Sequence, residues 1–308
     1  MTQFPQSPLS FIRLALGRLV ALALALCLLW WLATPAGLSP EEKQLWEKVS
    51  AAQQHIQQWR IEQGGTVKQT EDPWGCGLIG LEWSEISTTL GDVSSKRTAC
   101  HPAWAIQFTR WFKEQGLGTG DGIAIYSSAS FPGLLLSAIA AAEAIQLDTL
   151  LIVSLSASSW GANDPATPWP LLADEWRRAG FISTRSDYYT LGGASELGND
   201  LSPSGLETLR AAAQSAGVEI LTTDDLQSMV KLKSDLLLQR QTRLLLNIGG
   251  SHANLGDDPD VLKLDPGLTS PVASSDAGNG VIAVALDQDI PVIHMLNLRE
   301  LSRQSGIP

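Results

Sequence analysis

Three loops of this 308-residue chain combine residue types that could bind an anion or perform nucleophilic chemistry. The first, residues 127–133, is rich in serine and leads into a predicted helix. The free N–H groups and the dipole at a helix start favour an anion. Ser130 could instead cap that helix or serve as a nucleophile. The glycines that flank the serine in a Gly-x-Ser-x-Gly elbow are missing.

The second and third loops repeat this character. Residues 154–164 are again rich in serine, and the alternative to ligand binding is a turn that satisfies its own backbone. In residues 247–258, Gly249 and Gly250 allow a close approach of the backbone to a ligand. His252 could be a general base or a loop histidine bonded to backbone. Neither a Walker A loop nor a dinucleotide fingerprint is present, so no cofactor is predicted.

An adjacent pair of cations, Lys96 and Arg97, ends a block rich in glycine and hydroxyl residues at 77–98. Such a pair could clamp a carboxylate, with Arg97 binding both oxygens. The alternative is a solvated pair on a turn. The four histidines are too scattered along the sequence for metal-ligand spacing, so no metal is predicted.

These patterns give two sets of candidates. The candidate catalytic residues are Ser130 as nucleophile and His252 as base. The candidate ligand-binding residues are Thr88, Thr89, Lys96, Arg97, Ser128, Ser156, Ser158, Ser159, Asn163, Gly249, Gly250, Asn254 and Asn297.

Short apolar segments alternate with amphipathic ones from about residue 74 onward, which predicts an α/β fold. We expect a layered, mostly parallel sheet with flanking helices, whose ligands bind beyond the carboxyl ends of the strands. Residues 182–200 and 265–279 resemble long loops. Strands are predicted at residues 122–126, 148–154, 218–221, 243–248, 281–286 and 291–296, and helices at residues 39–63, 102–116, 132–145, 169–178, 202–217 and 223–239.

The N-terminus predicts a transmembrane helix. Residues 11–33 are apolar apart from Arg13, Gly17 and Arg18, and a stretch of about 20 residues can span a bilayer. The two arginines place the N-terminus inside, so the single-pass chain would expose its main domain outside the cytoplasm. A cleaved signal peptide is the alternative. The predicted organisation is a membrane anchor at 1–37, a helical linker at 38–72 and an α/β domain at 73–308.

The charge and the cysteines narrow the function further. A net charge of −11 argues against nucleic acid as a partner, and a polyanion would bind only at a local cationic site.

With Cys27 in the predicted anchor, Cys76 and Cys100 could form a disulfide in an oxidising compartment. They could equally be two free, buried thiols.

Five blocks of the sequence carry a resemblance to a known family. They are residues 77–98, 130–132, 156–163, 247–256 and 291–297. Together they resemble the poly-gamma-glutamate system protein family, whose members are accessory proteins for making and exporting an anionic glutamate polymer. The resemblance implies a role in capsule or exopolymer biosynthesis at the inner (cytoplasmic) membrane. It implies the synthase and export components as partners, and it carries no assigned reaction.

Three functional hypotheses follow. The chain could be a membrane-anchored accessory protein that binds the anionic polymer or a synthase subunit. It could be a serine-dependent hydrolase or acyl-transferase that acts on γ-linked glutamate, with Ser130 and His252 in the active site. It could also be a scaffold that docks partners through the helix at 39–63.

Overall fold

The first long helix begins where its capping residues predict. The computed structural model describes residues 16–27, 37–271 and 277–308, and helix α1 spans Pro40–Glu62. The Glu42 N–H donates to Ser39 Oγ (3.2 Å) and the Ser39 N–H donates to the Glu42 carboxylate (2.9 Å). This reciprocal pair is a capping box, with Pro40 in the first turn. The predicted helix over 39–63 is confirmed.

The elements that follow alternate between strands and helices. The remaining helices are α2 (Val93–Ala99), α3 (Ala103–Glu114), α4 (Pro132–Ile145), α5 (Trp169–Arg178), α6 (Pro203–Ala216), α7 (Leu226–Gln239), α8 (His252–Leu255), α9 (Val281–Asp287) and α10 (Leu298–Ser305). The strands are β1 (Ser87–Thr89), β2 (Gly122–Ser128), β3 (Asp148–Ser154), β4 (Ala157–Ser158), β5 (Tyr188–Thr190), β6 (Glu219–Ile220), β7 (Leu245–Ile248), β8 (Gly267–Thr269) and β9 (Val292–Met295). Short 3₁₀ helices cover Ala194–Glu196 and Pro259–Lys263.

Seven of these strands form one mostly parallel sheet. Their spatial order is β6-β5-β3-β2-β7-β9-β8, and every neighbouring pair is parallel except β8 and β9. Parallel neighbours need crossover connections, and helices supply them here. The predicted α/β fold with a mostly parallel sheet and flanking helices is confirmed.

Both faces of this sheet are buried, because successive side chains of a strand point to opposite faces. In β2, Ile123 and Ile125 lie in one apolar cluster, and Ala124 and Tyr126 lie in the other. Helices α1, α3 and α4 contribute to the first cluster, whereas α7 and α9 contribute to the second. The sheet is therefore the middle layer of three.

One predicted element is wrong and others were not predicted. Residues 281–286 were expected to form a strand but belong to helix α9. A run of apolar residues this short has no periodicity that separates a buried strand from a buried helix. The expected loops at 182–200 and 265–279 contain the short strands β5 and β8. A separate two-stranded parallel sheet, β1 with β4, was also not predicted.

The predicted membrane anchor falls largely outside the described residues. Within the described ranges, residues 16–27 are helical, and no helix is long and apolar enough to cross a bilayer. Residues 1–43 and 44–308 form two compact units. Helix α1 belongs to the second unit from residue 44 onward, and Leu45, Val49 and Ile56 are buried in its core.

The two cysteines of the main unit lie together. Cys76 and Cys100 are both buried with free thiols. Burial, with a hydrogen bond between the two thiols, raises the pKa of Cys76 well above its usual range. Their disulfide remains a prediction.

A buried arginine joins α1 to the segment that leads into β1. The Arg60 guanidinium donates to the carbonyl oxygens of Gly77 (2.7 Å) and Ile79 (3.1 Å). It also pairs with the buried carboxylate of Asp164 (3.2 Å) and donates to Thr167 Oγ1 (3.0 Å). Removing one partner of such a buried network leaves the others without compensation.

We expect Arg60→Met to lower the free energy of unfolding by about 3 kcal/mol, because Asp164 would remain buried without its cation. Chemical denaturation monitored by circular dichroism measures this change. The matched control is Lys68→Met, which removes a more exposed pair with Glu71 and should cost less than about 1 kcal/mol. Equal losses in the two variants would contradict the role assigned to Arg60.

Candidate functional site

A cavity of about 270 Å³ lies at the carboxyl edge of the large sheet. Two of its walls come from the ends of β2 and β3, a third from the loop after β7, and a fourth from β1 with the start of α2. Parallel strands bring these loops to one edge, as the sequence predicted. The cavity is lined by Thr88, Thr89, Leu90, Gly91, Asp92, Ser95, Lys96, Ser128, Ser130, Phe131, Ser154, Ser156, Ser158, Gly192, Gly193, Gly250, Ser251 and His252.

Nine of the predicted site residues meet in this cavity. They are Thr88, Thr89, Lys96, Ser128, Ser130, Ser156, Ser158, Gly250 and His252. The small sheet explains part of this convergence, because β1 pairs with β4 and so places residues 88–91 beside Ser158. Residues distant in sequence thereby share one polar space.

The most unusual group in the cavity wall is the buried ammonium of Lys96. Its Nζ donates to the Ser130 carbonyl (2.6 Å) and to Ser158 Oγ (2.8 Å), and lies 3.5 Å from the centre of the Phe131 ring. Within the described residues, no carboxylate lies at ion-pair distance from it. Burial lowers the pKa of Lys96 to about 7, against the opposing influence of Cys100 and Asp92.

Arg97, the other half of the predicted clamp, does not face the cavity. Its guanidinium donates to the carbonyl oxygens of Glu71 (2.7 Å) and Thr70 (2.8 Å) and so holds the preceding loop. Adjacent residues on a helix point about 100° apart, so Lys96 and Arg97 cannot both face one ligand. Of the two cations in the predicted clamp, only Lys96 therefore lines the cavity.

Five further predicted residues lie outside the cavity lining. Asn163 bonds both backbone groups of Leu81, and Asn254 donates to the side chain of Asn247. Asn297 is exposed and begins α10. Gly249 and Ser159 are buried beside the site. None of the five lines the cavity, and their part in ligand binding remains a prediction.

Two glycines leave room for two hydroxyls in the cavity wall. Ser128 and Ser156 are buried, and their Oγ atoms have no hydrogen-bond partner within the described residues. A side chain at Gly249 would collide with Ser128 Oγ, and one at Gly192 would collide with Ser156 Oγ. Because buried hydroxyls are normally bonded, these two groups are available to donate to a ligand or a water in the cavity.

Ser130 does not cap the helix that follows it. The N-cap residue of helix α4 is Phe131, which makes no side-chain cap, and Ser130 Oγ instead accepts from the Ser158 N–H (2.9 Å). The Ser130 carbonyl at the same time accepts from Lys96. Ser130 therefore orients both Lys96 and Ser158.

His252 lies in the cavity wall, and a hydrogen bond from a residue outside the lining fixes the orientation of its ring. Its Nδ1 accepts from the Ser195 N–H (3.0 Å), so a neutral ring carries its proton on Nε2. In that tautomer Nε2 donates to a ligand and cannot accept a proton. No hydrogen bond within the described residues joins His252 to Ser130, so the predicted catalytic pair remains a prediction.

A buried ion pair lies next to the cavity lining, because two lining serines bond its carboxylate. The Glu196 carboxylate is bonded by Lys233 Nζ (3.0 Å), Thr190 Oγ1 (2.6 Å), Ser154 Oγ (2.9 Å) and Ser251 Oγ. Burial opposes ionisation of Glu196, but the ammonium and these hydroxyls lower its pKa from 4.5 to about 2. The carboxylate is therefore ionised and well supplied with hydrogen-bond donors.

The same carboxylate holds an unusual backbone turn. Ser195 and Glu196 both have positive φ, at 56° and 61°, where residues other than glycine are strained. The Ala253 N–H also donates to Glu196 (3.0 Å), which connects this turn to α8. The strained turn thus presents the Ser195 N–H to His252.

Several lining residues were not among the sequence candidates. Ser154 and Ser251 lie inside the loops that were singled out, so their hydroxyls were available as a signal. Gly192 and Gly193 lie in the expected long loop at 182–200 and have no side chain that could indicate a site. The glycine pair itself, which is typical of a turn, was the only signal for them.

Comparison of the chain with protein-family models, with curated proteins and with solved structures finds no match in any of the three. The function must therefore be argued from the chemistry of the cavity.

We expect Glu196→Gln to lower the free energy of unfolding at neutral pH by about 3 kcal/mol, because Lys233 would be left buried without its anion. The depressed pKa stabilises the fold above the ordinary value of 4.5, and this contribution is lost as the pH falls toward about 2. Denaturant unfolding across that range should show a steeper acid loss in the unmodified protein than in the variant.

The control for this prediction is Asp235→Asn, which removes an exposed pair with Lys231 on α7. That change should cost about 0.5 kcal/mol or less. Identical acid profiles for the unmodified protein and Glu196→Gln would contradict the role given to the buried pair.

Proposed function

We propose that this chain is an accessory protein of poly-γ-glutamate biosynthesis or export, and that its cavity binds a carboxylate of that polymer. The observation that carries the proposal is the buried ammonium of Lys96, which has no carboxylate partner within the described residues. A buried cation is stabilised by an opposite charge, and a ligand anion would provide one.

The groups around Lys96 suit a carboxylate. Two of its N–H bonds point to Ser130 and Ser158, and an ammonium has three donors in all. The unbonded hydroxyls of Ser128 and Ser156 can each donate to an oxygen, and so can His252 Nε2. An ionised acceptor strengthens such bonds. The cavity therefore offers several donors to one anionic group.

The size and charge of the surroundings restrict what can bind. A volume of about 270 Å³ is at the small end of ligand pockets and fits a terminal group or a side group better than a folded partner. The net charge of −11 repels a polyanion at long range. Binding would therefore depend on this single local cation.

The biological setting is part of the proposal. The blocks that resemble the poly-gamma-glutamate system protein family include residues 77–98, 156–163 and 247–256, which supply much of the cavity wall. The apolar N-terminal segment supports a single-pass protein of the inner membrane with its main domain outside the cytoplasm. Its partners there would be the synthase and export components.

The alternative function is a serine-dependent hydrolase or acyl-transferase acting on γ-linked glutamate. Its proposed nucleophile, Ser130, and base, His252, line the same cavity. The tautomer of His252 gives this pair less support than the anion site receives from Lys96.

The binding proposal predicts an unusual pH dependence. A γ-linked glutamate oligomer should bind best below pH 7, where Lys96 is an ammonium, and should weaken by up to about tenfold for each pH unit above that value. Isothermal titration calorimetry at low and high salt measures this, and salt should weaken the interaction. Affinity that rises with pH would contradict the proposal.

Two variants sharpen this experiment. Lys96→Met should weaken binding about tenfold or more, the loss expected for a charge-assisted hydrogen bond. Lys231→Met removes an exposed cation on α7 outside the cavity lining and should leave affinity unchanged. Equal affinity of the Lys96 variant and the unmodified protein would overturn the site.

The process is tested in the host that encodes this chain. Deleting its gene should reduce the yield or length of extracellular poly-γ-glutamate, and the unmodified gene should restore it whereas Lys96→Met should not. Polymer is measured by gel and by glutamate release, with membrane levels of each variant checked by immunoblot. Normal polymer after deletion would contradict the assigned process.

A double change, Ser130→Ala with His252→Ala, tests the alternative in the same host. Restoration of polymer by this variant would exclude catalysis by that pair. Failure, with the protein folded and present in the membrane, would support it.

A further inference from the structure

Anion binding does not use the contact between Ser158 and Lys96. Ser158 Oγ lies 2.8 Å from Lys96 Nζ, within hydrogen-bond reach, and both residues line the cavity. A hydroxyl beside an amine is the arrangement in which an amine can take the proton of a nucleophilic serine.

Both groups are held from several sides. Ser158 lies in β4, opposite Thr89 of β1, and its N–H donates to Ser130 Oγ (2.9 Å). Lys96 is fixed by the Ser130 carbonyl and by the Phe131 ring. Neither group therefore needs a large rearrangement to keep the proton-transfer distance, which is the usual requirement for efficient general-base chemistry.

The surroundings allow Lys96 to be an amine near neutral pH. Burial lowers its pKa to about 7, while Cys100 and Asp92 act in the opposite direction. His252 lines the same cavity, and Asp92 is engaged in capping α2 through the N–H groups of Ser94 and Ser95. A base with a pKa near the working pH is the most effective proton acceptor.

We infer that Ser158 is a nucleophile activated by Lys96, and that the cavity carries acyl-transfer activity toward an amide or ester. Ser158 Oγ would form a bond to the carbonyl carbon while its proton passes to the Lys96 amine. The carbon–nitrogen or carbon–oxygen bond would then break, and Lys96 would return the proton to the leaving amine or alcohol. Water or a second amine would then attack the carbonyl carbon of the acyl–Ser158 ester and pass its proton to Lys96. The ester bond would break, and Lys96 would return the proton to Ser158 Oγ.

This inference shares the cavity of the proposed function but uses the other protonation state of Lys96. The ammonium binds a carboxylate, whereas the amine activates Ser158. A carboxylate-bearing substrate would therefore place its charge against Ser128, Ser156 and His252, and its neutral carbonyl near Ser158. The two uses respond to pH in opposite directions, which allows them to be tested separately.

A fluorophosphonate tests the nucleophile directly, because attack by Ser158 forms an oxygen–phosphorus bond and releases fluoride. Intact-protein mass spectrometry should show one adduct, and peptide mapping should place it on Ser158. The labelling rate should rise as the pH passes through about 7 and then level off, following the amine form of Lys96. No adduct, or an adduct on another residue, would overturn the inference.

Three variants complete the test. Ser158→Ala should abolish labelling, and Lys96→Arg should slow it by about 100-fold or more, because a guanidinium keeps the charge but cannot accept the proton. Ser234→Ala, which removes a buried hydroxyl on α7 outside the cavity lining, should label normally. Thermal unfolding confirms that each variant is folded. Labelling of Lys96→Arg at the normal rate would contradict the role of Lys96.

Failure of this inference can be separated from failure of the proposed function. The same variants are titrated with the γ-linked glutamate oligomer used above. Ser158→Ala that loses labelling but keeps the binding of that oligomer supports the nucleophile independently of the anion site. Binding without any labelling of the unmodified protein overturns the acyl-transfer activity alone.

Discussion

One buried ammonium connects the segments that make this cavity. Lys96 lies on α2, its nitrogen bonds the loop after β2 through Ser130, and it also bonds β4 through Ser158. Within the described residues no carboxylate lies at ion-pair distance from Lys96, although Asp92 acts on it from farther away. Burying a cation costs free energy, and the carbonyl, the hydroxyl and the Phe131 ring offset only part of that cost. The arrangement therefore lowers the stability of the unliganded protein, and an anion bound beside Lys96 would raise that stability again.

The contrast with the second buried lysine supports this interpretation. Lys233 is as deeply buried as Lys96, but it pairs with Glu196, whose carboxylate is further bonded by hydroxyls of Thr190 and Ser154. Within the described residues, Lys233 therefore has its counter-ion and Lys96 has none at ion-pair distance. The Glu196–Lys233 pair reaches the cavity through Ser154 and Ser251, which bond Glu196 and line the cavity.

The sequence predicted much of the fold but only part of the site. The sequence predicts strand 148–154 and helix 132–145 correctly, because turn residues bound them and their patterns are clear. It wrongly predicts a strand at helix α9, since a short buried apolar run suits either element. The rule that ligands bind beyond the carboxyl ends of parallel strands predicts the loops around the cavity. The sequence does not predict the two-stranded sheet that lines part of it, because β1 and β4 are too short to show alternation.

The pair Lys96 and Arg97 shows why the rest could not be predicted. Without helix α2, nothing in the sequence says that two adjacent cations face different directions. Ser130 shows the same limit, because a serine two residues before the proline of a helix start suggests a cap, whereas its hydroxyl bonds the distant Ser158 N–H. Local patterns thus identify which groups are available, and tertiary packing decides which of them face the cavity. Among the described residues, the packing leaves one cation and two unbonded hydroxyls in the cavity lining, and the proposed chemistry rests on these groups.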